Sequence, residues 1–139
     1  MSFTQAELGY LQTPRRLGRL ATVRPDGTPQ VNPVGFRCDA ERGTIDIVGF
    51  AMSKTQKFRN IARSGHAALV VDDIVSTDPW RVRFLEIRGT AEALDGDGSP
   101  GAWGDGAIIR IHPRRIISFG IEDPVDEPHK MRSHSRNIP

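Results

Sequence analysis

The chain has 139 residues and a formal net charge of +2, and its 26% charged and 37% hydrophobic residues favour one ordinary globular domain over a disordered or membrane-embedded chain. No apolar run approaches the ~20 residues that span a bilayer, and the N-terminus lacks the basic and apolar segments of a signal peptide. Since Cys38 is the single cysteine, an internal disulfide is excluded, and we expect a cytoplasmic protein with no membrane partner.

The first third of the chain predicts one helix and three strands. Thr4 and Glu7 match a capping box, which predicts a helix over residues 4–12. Three strands follow, separated by turn sequences, at 18–24, 29–39 and 44–50. Because Pro29 and Pro33 have no N–H to donate, the second strand should lie at an edge, carry a bulge or be interrupted.

The remainder of the chain predicts a second helix and three further strands. Ser53 and Gln56 form another capping box, so this helix should begin at 53 or 54 and end near 63. Strands are expected at 67–73, 81–94 and 107–121. The first two should be joined by an exposed connection, and a Gly-rich loop should occupy 95–106. In the long middle strand we expect a bulge near Leu85 and inward-facing side chains at Val82, Phe84, Ile87 and Ala91.

Six short strands and two short helices predict a mainly β fold, a six-stranded antiparallel barrel, as one domain over residues 1–121. The tail at 122–139 contains three prolines and few apolar residues. We therefore expect this tail to be flexible or packed on a partner subunit.

The second helix carries an unusual pair of charges. Only three of the 19 basic residues are lysines, and Lys54 and Lys57 both lie at the start of this helix. A cation in the first turn opposes the helix dipole by roughly 0.3–1 kcal/mol. Either Lys54 simply extends into water, or an anion binds there, where free N–H groups and the Ser53 and Thr55 hydroxyls are donors. The face expected to pack on the barrel consists of Thr55, Phe58, Ile61 and Ala62.

Four segments carry a family resemblance: LATVRPDGTPQVNPVGF at 20–36, SKTQKFRNI at 53–61, FLEIRGTAEAL at 84–94 and IIRIHPRRIISFG at 108–120. In this order and spacing they resemble the pyridoxamine 5'-phosphate oxidase-like flavin and deazaflavin reductases. The QKFRN segment is most similar to the branch that uses coenzyme F420, a deazaflavin. The resemblance implies a split β-barrel that forms a homodimer, with a cofactor in the groove between the subunits.

The resemblance also implies which residues contact the cofactor. Lys57 would reach its phosphate, and the strand carrying VNPVGF would lie beside its ring. With the helix donors included, the candidate cofactor contacts are Asn32, Pro33, Val34, Ser53, Lys54, Thr55, Lys57 and Asn60. In the Gly-rich loop, Trp103 is a candidate lid over cofactor or substrate.

These features predict an F420-dependent oxidoreductase that transfers a hydride between the deazaflavin and a small organic substrate. No catalytic side chain is predicted, because the cofactor carries the hydride. The four histidines lack metal-ligand spacing, so no metal is predicted. The alternatives are an FMN-binding reductase or oxidase of the same fold and a non-catalytic flavin-binding or F420-binding protein. A barrel that binds nucleic acid is disfavoured by the 6% aromatic content.

Overall fold

The computed structural model describes residues 2–96, 104–122 and 128–139. Its first helix, α1, spans Gln5–Leu11 and begins with the predicted capping box. The Thr4 hydroxyl accepts from the Glu7 N–H at 3.1 Å, and the Glu7 carboxylate accepts from the Thr4 N–H at 2.9 Å. Leu8 and Leu11 turn the apolar face of α1 into the core. Among the described helices, none is long and apolar enough to cross a membrane.

The described residues contain seven antiparallel strands in one sheet: β1 Gly18–Val23, β2 Pro29–Asp39, β3 Thr44–Val48, β4 His66–Thr77, β5 Trp80–Leu94, β6 Ile108–Phe119 and β7 Ser133–Asn137. Their order is β3-β2-β1-β4-β5-β6-β7, and an additional β3–β6 pairing closes the first six into a barrel. The prediction of a mainly β split barrel is confirmed, with one strand more than the predicted six.

Strand β2 changes its pairing partner half-way along its length. Residues 29–34 pair with β1, whereas residues 35–39 pair with β3. The first half, which contains Pro29 and Pro33, is therefore paired along one edge. This arrangement is the interrupted strand that the two prolines predict, because a residue without an N–H is tolerated where a ladder is incomplete.

The C-terminal tail differs from its expected state. Strand β7 pairs with residues 115–119 of β6, beyond the point where β6 leaves β3. On the same strand, Arg136 contacts the fully buried Glu7 of α1 through two hydrogen bonds of 2.8 and 2.6 Å. Residues 128–139 therefore pack on their own chain rather than forming a flexible tail, and their packing on a partner subunit stays a prediction; residues 123–127 lie outside the described residues.

The core lies inside the barrel and is mainly aliphatic, with Leu20, Ile45, Ile47, Ile61, Leu69, Leu85, Ile87, Ile109, Ile111 and Ile116 almost fully buried. On β5 the inward-facing prediction holds for Ile87 and Ala91 and is wrong for Val82 and Phe84. Strand β5 pairs with β4 without a break at Leu85, so alternation puts Leu85 inside and its even-numbered neighbours outside.

The irregularities of the long hairpin lie elsewhere than predicted. The β5–β6 register shifts between Arg88 and Gly89, where β6 carries an extra residue, and the β4–β5 register shifts between Ile74 and Ser76. Strand β4 continues to Thr77, so the expected exposed connection is the end of this hairpin.

Candidate functional site

The second helix, α2, spans Gln56–Ser64 and begins later than predicted. Its N-cap is Thr55, whose hydroxyl accepts from the Phe58 N–H at 3.2 Å and donates to the Met52 carbonyl at 2.7 Å. The preceding residues Met52–Lys54 form a separate 3-10 turn. The prediction that Ser53 caps the helix is therefore wrong.

Both hydrogen-bond donors of Ser53 bind a residue that is distant in the sequence. Its N–H and its hydroxyl both donate to the Asp105 carboxylate, at 3.1 and 2.5 Å. These contacts, led by the Ser53 hydroxyl, lower the pKa of Asp105 below its usual range. The end of the Gly-rich loop is thereby attached to the turn before α2. Trp103, the candidate lid, lies outside the described residues.

The packed face of α2 also differs from the predicted one. Phe58 and Ile61 are buried as expected, but Ala62 is exposed and Asn60 is completely buried. The Asn60 amide nitrogen donates to the Thr22 hydroxyl at 3.0 Å, and its oxygen accepts from Gln56 at 2.8 Å. Asn60, a candidate cofactor contact, is therefore a buried link between α2 and the barrel.

The arginines of α2 are held by the protein. Arg59 donates to the Lys54 carbonyl at 3.0 Å and to the Gln56 side-chain oxygen at 2.9 Å. Arg63 donates to the Val23 carbonyl at 2.6 Å. Both guanidinium groups therefore stabilise α2 and its contact with β1.

The two lysines differ from these arginines. Within the described ranges, no hydrogen bond or ion pair involves the ammonium group of Lys54 or Lys57. Lys54 is exposed, immediately before the N-cap, and the half-buried Lys57 is the second residue of α2. Lys57, rather than Lys54, is thus the cation in the first turn. The first turn contains no acidic residue, so both ammonium groups and the helix dipole favour an anion here.

The three candidates on β2 point in alternating directions. Asn32 lies opposite Leu20 of β1 and shares its inward face, where it is half-buried. Pro33 lies opposite Arg19 and is exposed on the outer face. The Val34 side chain is buried in the core, so only its backbone is available to a ligand.

A chain of side-chain amides joins α2 to Asn32. After the Gln56–Asn60 bond, the Asn60 nitrogen lies 3.5 Å from the Gln30 oxygen, and the Gln30 nitrogen donates to the Asn32 oxygen at 2.9 Å. Sequence reasoning missed Gln30 and Gln56 as site residues. The i, i+2 spacing of Gln30 and Asn32 on one strand face was the available signal.

This arrangement fits an anionic group that also carries hydrogen-bond acceptors. Lys54 and Lys57 offer unpaired positive charge, and in the described part of the chain nothing accepts from the Asn32 amide nitrogen. Ser53 and Thr55, predicted as hydroxyl donors to the anion, use their hydroxyl groups within the protein. The fit is therefore to the two lysines, the first N–H groups of α2 and Asn32.

Other chemistry has less support in the described residues. Burial and the neighbouring Asp39 raise the pKa of Cys38 to about 11, so the thiol is almost entirely protonated near neutral pH. In the part of the chain that the structure describes, no three His, Cys, Asp or Glu side chains are grouped to hold a metal ion.

Comparison with known proteins agrees with this fold. Residues 5–121 match the family described as pyridoxamine 5'-phosphate oxidase. The chain belongs to the pyridoxamine 5'-phosphate oxidase family. A curated relative, the 5a,11a-dehydrotetracycline/5a,11a-dehydrooxytetracycline reductase of Streptomyces rimosus, is 48% identical over 125 residues, covering 88% of this chain and 86% of the relative.

Two solved structures are also similar to this chain. An F420 reductase is 32% identical, covers 78% of this chain and 93% of its own, and superposes with a TM-score of 0.61. A conserved hypothetical protein from Mycobacterium tuberculosis is 21% identical, covers 84% of each chain and has a TM-score of 0.66, which shows the shared fold alone. The two named reductases confirm the prediction of an oxidoreductase in this family.

Proposed function

We propose that this oxidoreductase binds F420 and transfers a hydride between it and a small organic substrate. The observation that carries the proposal is the unpaired lysine pair at the start of α2, beside arginines that are all engaged by the protein. A phosphate held as a point charge suits a lysine. The F420 reductase among the structural neighbours, at 32% identity, supports the deazaflavin rather than FMN.

The residues proposed to hold the cofactor are fewer than the sequence indicated. Lys57 and the first N–H groups of α2 would bind its phosphate, with Lys54 adding charge from the preceding turn. Asn32 would contact an acceptor atom of the ring system, and the Val34 backbone would flank it. The bound deazaflavin supplies hydride chemistry, while these residues bind and orient it. Asn60 would keep Asn32 in position.

FMN remains the alternative cofactor, and a non-catalytic flavin-binding or F420-binding protein the alternative function. The absorption spectrum of the purified protein separates the cofactors, because FMN is yellow with two bands whereas F420 absorbs and fluoresces in the violet-blue. If neither chromophore copurifies, titration of the protein with each decides between them. Turnover of a substrate with the bound cofactor separates an enzyme from a carrier.

For the substrate we propose an unsaturated organic molecule of the kind that the Streptomyces rimosus relative reduces. The support is the 48% identity over 88% of this chain. The direct test supplies 5a,11a-dehydrotetracycline with reduced F420 and follows oxidation of the cofactor. No oxidation above the rate without enzyme would reject this substrate class while leaving the cofactor proposal to its own titration.

We also propose a homodimer formed through the outer face of β1, β2, β4 and β5. This outer sheet face carries the exposed apolar side chains Val23, Val31, Ile74 and Trp80 and the half-buried Val70, Val82 and Phe84. It contains a groove of about 800 Å³ that is lined by Val70, Ile74, Trp80, Val82 and Phe84 together with charged side chains that include Arg19, Asp72 and Glu86. Isolated exposed apolar residues are ordinary, but apolar side chains grouped on one face support an interface.

Sedimentation at micromolar concentration tests the dimer. Ile74→Glu would place a charge in the outer sheet face and should give a monomer, whereas Ala62→Glu, at an exposed position of α2, should leave the dimer intact. A parent protein that is monomeric yet binds cofactor tightly would contradict a cofactor site formed between the two subunits. The cytoplasmic location stays a prediction from the sequence.

A further inference from the structure

The amide chain between α2 and β2 has a direction. An amide side chain can donate through its nitrogen or accept through its oxygen, so a chain of amides can run either way unless one end is fixed. Here the end is fixed by arginine, which only donates. Arg59 donates to the Gln56 oxygen at 2.9 Å, and this contact turns the Gln56 nitrogen toward Asn60.

Each later amide of the chain has the same orientation, accepting through its oxygen from the preceding amide. The Asn60 oxygen accepts from Gln56, so its two N–H groups are left to face the Thr22 hydroxyl at 3.0 Å and the Gln30 oxygen at 3.5 Å. A second arginine supports this orientation, because Arg24 approaches the Gln30 oxygen at 3.4 Å. The Gln30 nitrogen is thereby directed to the Asn32 oxygen at 2.9 Å.

Asn32 is the last member of the chain. Its oxygen is occupied by Gln30, and among the described residues nothing accepts from its nitrogen. Asn60 is fully buried, so this middle member of the chain is screened from solvent and cannot readily exchange its partners for water.

We propose that this chain of amides, called the relay below, fixes Asn32 as a hydrogen-bond donor, so that the ligand group facing it is an acceptor such as a ring carbonyl or ring nitrogen. Gln30, Asn60 and Gln56 are then positioning residues that act through Asn32. The inference takes its probes, F420 and FMN, from the proposed function. The direction of the relay can also be read in the protein without cofactor.

The first test is Asn32→Asp, which keeps the shape and removes both N–H donors. The dissociation constant of F420, or of FMN if that binds instead, should rise about five- to a hundredfold. Asn137→Asp is the matched control, since Asn137 lies on β7 and accepts from Arg115 through its oxygen. Equal affinities for Asn32→Asp and Asn137→Asp would overturn the donor role.

The second test reverses the orientation of the Asn32 amide without substituting Asn32 itself. In Gln30→Glu one carboxylate oxygen still accepts from Asn60 and Arg24, and the other faces the Asn32 oxygen. Asn32 should then turn its nitrogen inward and present its oxygen to the ligand. Gln30→Glu should therefore weaken binding as Asn32→Asp does, with a thermal melt close to that of the parent.

A double variant separates reversal from the added charge. In an Asn32→Ala background, Gln30→Glu should change the dissociation constant by less than about twofold if it acts through Asn32. An undiminished effect in that background would mean that the charge itself repels the ligand, and the relay would be rejected.

Side-chain amide NMR gives the readout that needs no cofactor. The Asn32 NH₂ protons should exchange rapidly with water in the parent and slowly in Gln30→Glu, where they donate to the carboxylate. Slow exchange already in the parent would overturn the proposed direction. If neither F420 nor FMN binds the parent, the proposed function fails. The exchange measurement still decides whether the Asn32 nitrogen faces solvent as a free donor.

Discussion

Replacing Arg136 by methionine should destabilise the fold, because it leaves the Glu7 carboxylate buried without its cation. Glu7 has 0% exposure, and within the described ranges Arg136 is the one cation in contact with it. The guanidinium makes bonds of 2.8 and 2.6 Å to the two carboxylate oxygens. The ends of the chain, α1 and β7, are joined by this contact.

The size of the effect follows from the burial of the two partners. Removing one member of a fully buried ion pair costs about 3–5 kcal/mol, since the other charge stays desolvated. The Arg136 side chain is 38% exposed, so water can partly replace it. We therefore expect a loss of roughly 2–4 kcal/mol in the free energy of unfolding.

Urea unfolding followed by circular dichroism measures this loss. Arg132→Met is the matched control, because Arg132 is an exposed arginine four positions earlier in the tail, and it should cost no more than about 0.5 kcal/mol. Glu7→Gln keeps a capping-box residue and removes the charge, so in that background Arg136→Met should cost much less. Equal losses for Arg136→Met and Arg132→Met, or an undiminished loss in the Glu7→Gln background, would show that the Arg136–Glu7 contact does not stabilise the fold.

Three further predictions concern the site and the cysteine. Lys57→Ala should weaken cofactor binding by roughly 1.5–3 kcal/mol, the range for a charged hydrogen bond, with an unchanged melt; equal affinity in a titration would remove Lys57 from the site. Lys54→Glu should weaken F420 binding while leaving the melt nearly unchanged, because Lys54 precedes the N-cap; Ala51→Glu is its control, and equal losses would indicate general repulsion. Because the pKa of Cys38 is about 11, thiol labelling at pH 8 should be about two orders of magnitude slower in the folded than in the unfolded protein; comparable rates would contradict the burial.

The start of α2 shows why a local pattern was insufficient. Ser53 and Gln56 fit a capping box, but Thr55, three residues before the buried Phe58, is the N-cap in the structure. Asp105, 52 positions along the chain, accepts hydrogen bonds from both donors of Ser53, so the Ser53 hydroxyl does not cap α2. A contact of that separation leaves no mark in a short sequence window. The cluster of Lys54 and Lys57, by contrast, was visible from the sequence because their charge is unusual at a helix start.

Strand β5 was assigned the wrong phase for a different reason. At residues 81–84 two arginines alternate with Val82 and Phe84, which favours the apolar pair as the inward one. Arg83 nevertheless lies on the phase of the buried Leu85, where its charge is paired with Asp73 and lies over the Tyr10 ring. The alternation further along, at Ile87 and Ala91, was read correctly because Arg88 and Glu92 mark the outer side.

Strand β7 was missed because its sequence, SHSRN, has no apolar alternation. Its pairing depends on the edge of β6 and on the Arg136–Glu7 contact, and Glu7 lies 129 positions away in the sequence. The barrel itself was predictable, since turn residues and alternating strands recur along 18–121.

We propose that Lys57 and Asn32 bind an F420-type cofactor. Titrating the parent protein with F420 and with FMN, at physiological salt and in parallel with Lys57→Ala and Asn32→Asp, tests it most directly. F420 should bind more tightly than FMN, and both variants should lose affinity while keeping the parent's melt. Tighter binding of FMN would contradict the deazaflavin assignment, and unchanged affinity in both variants would contradict the site.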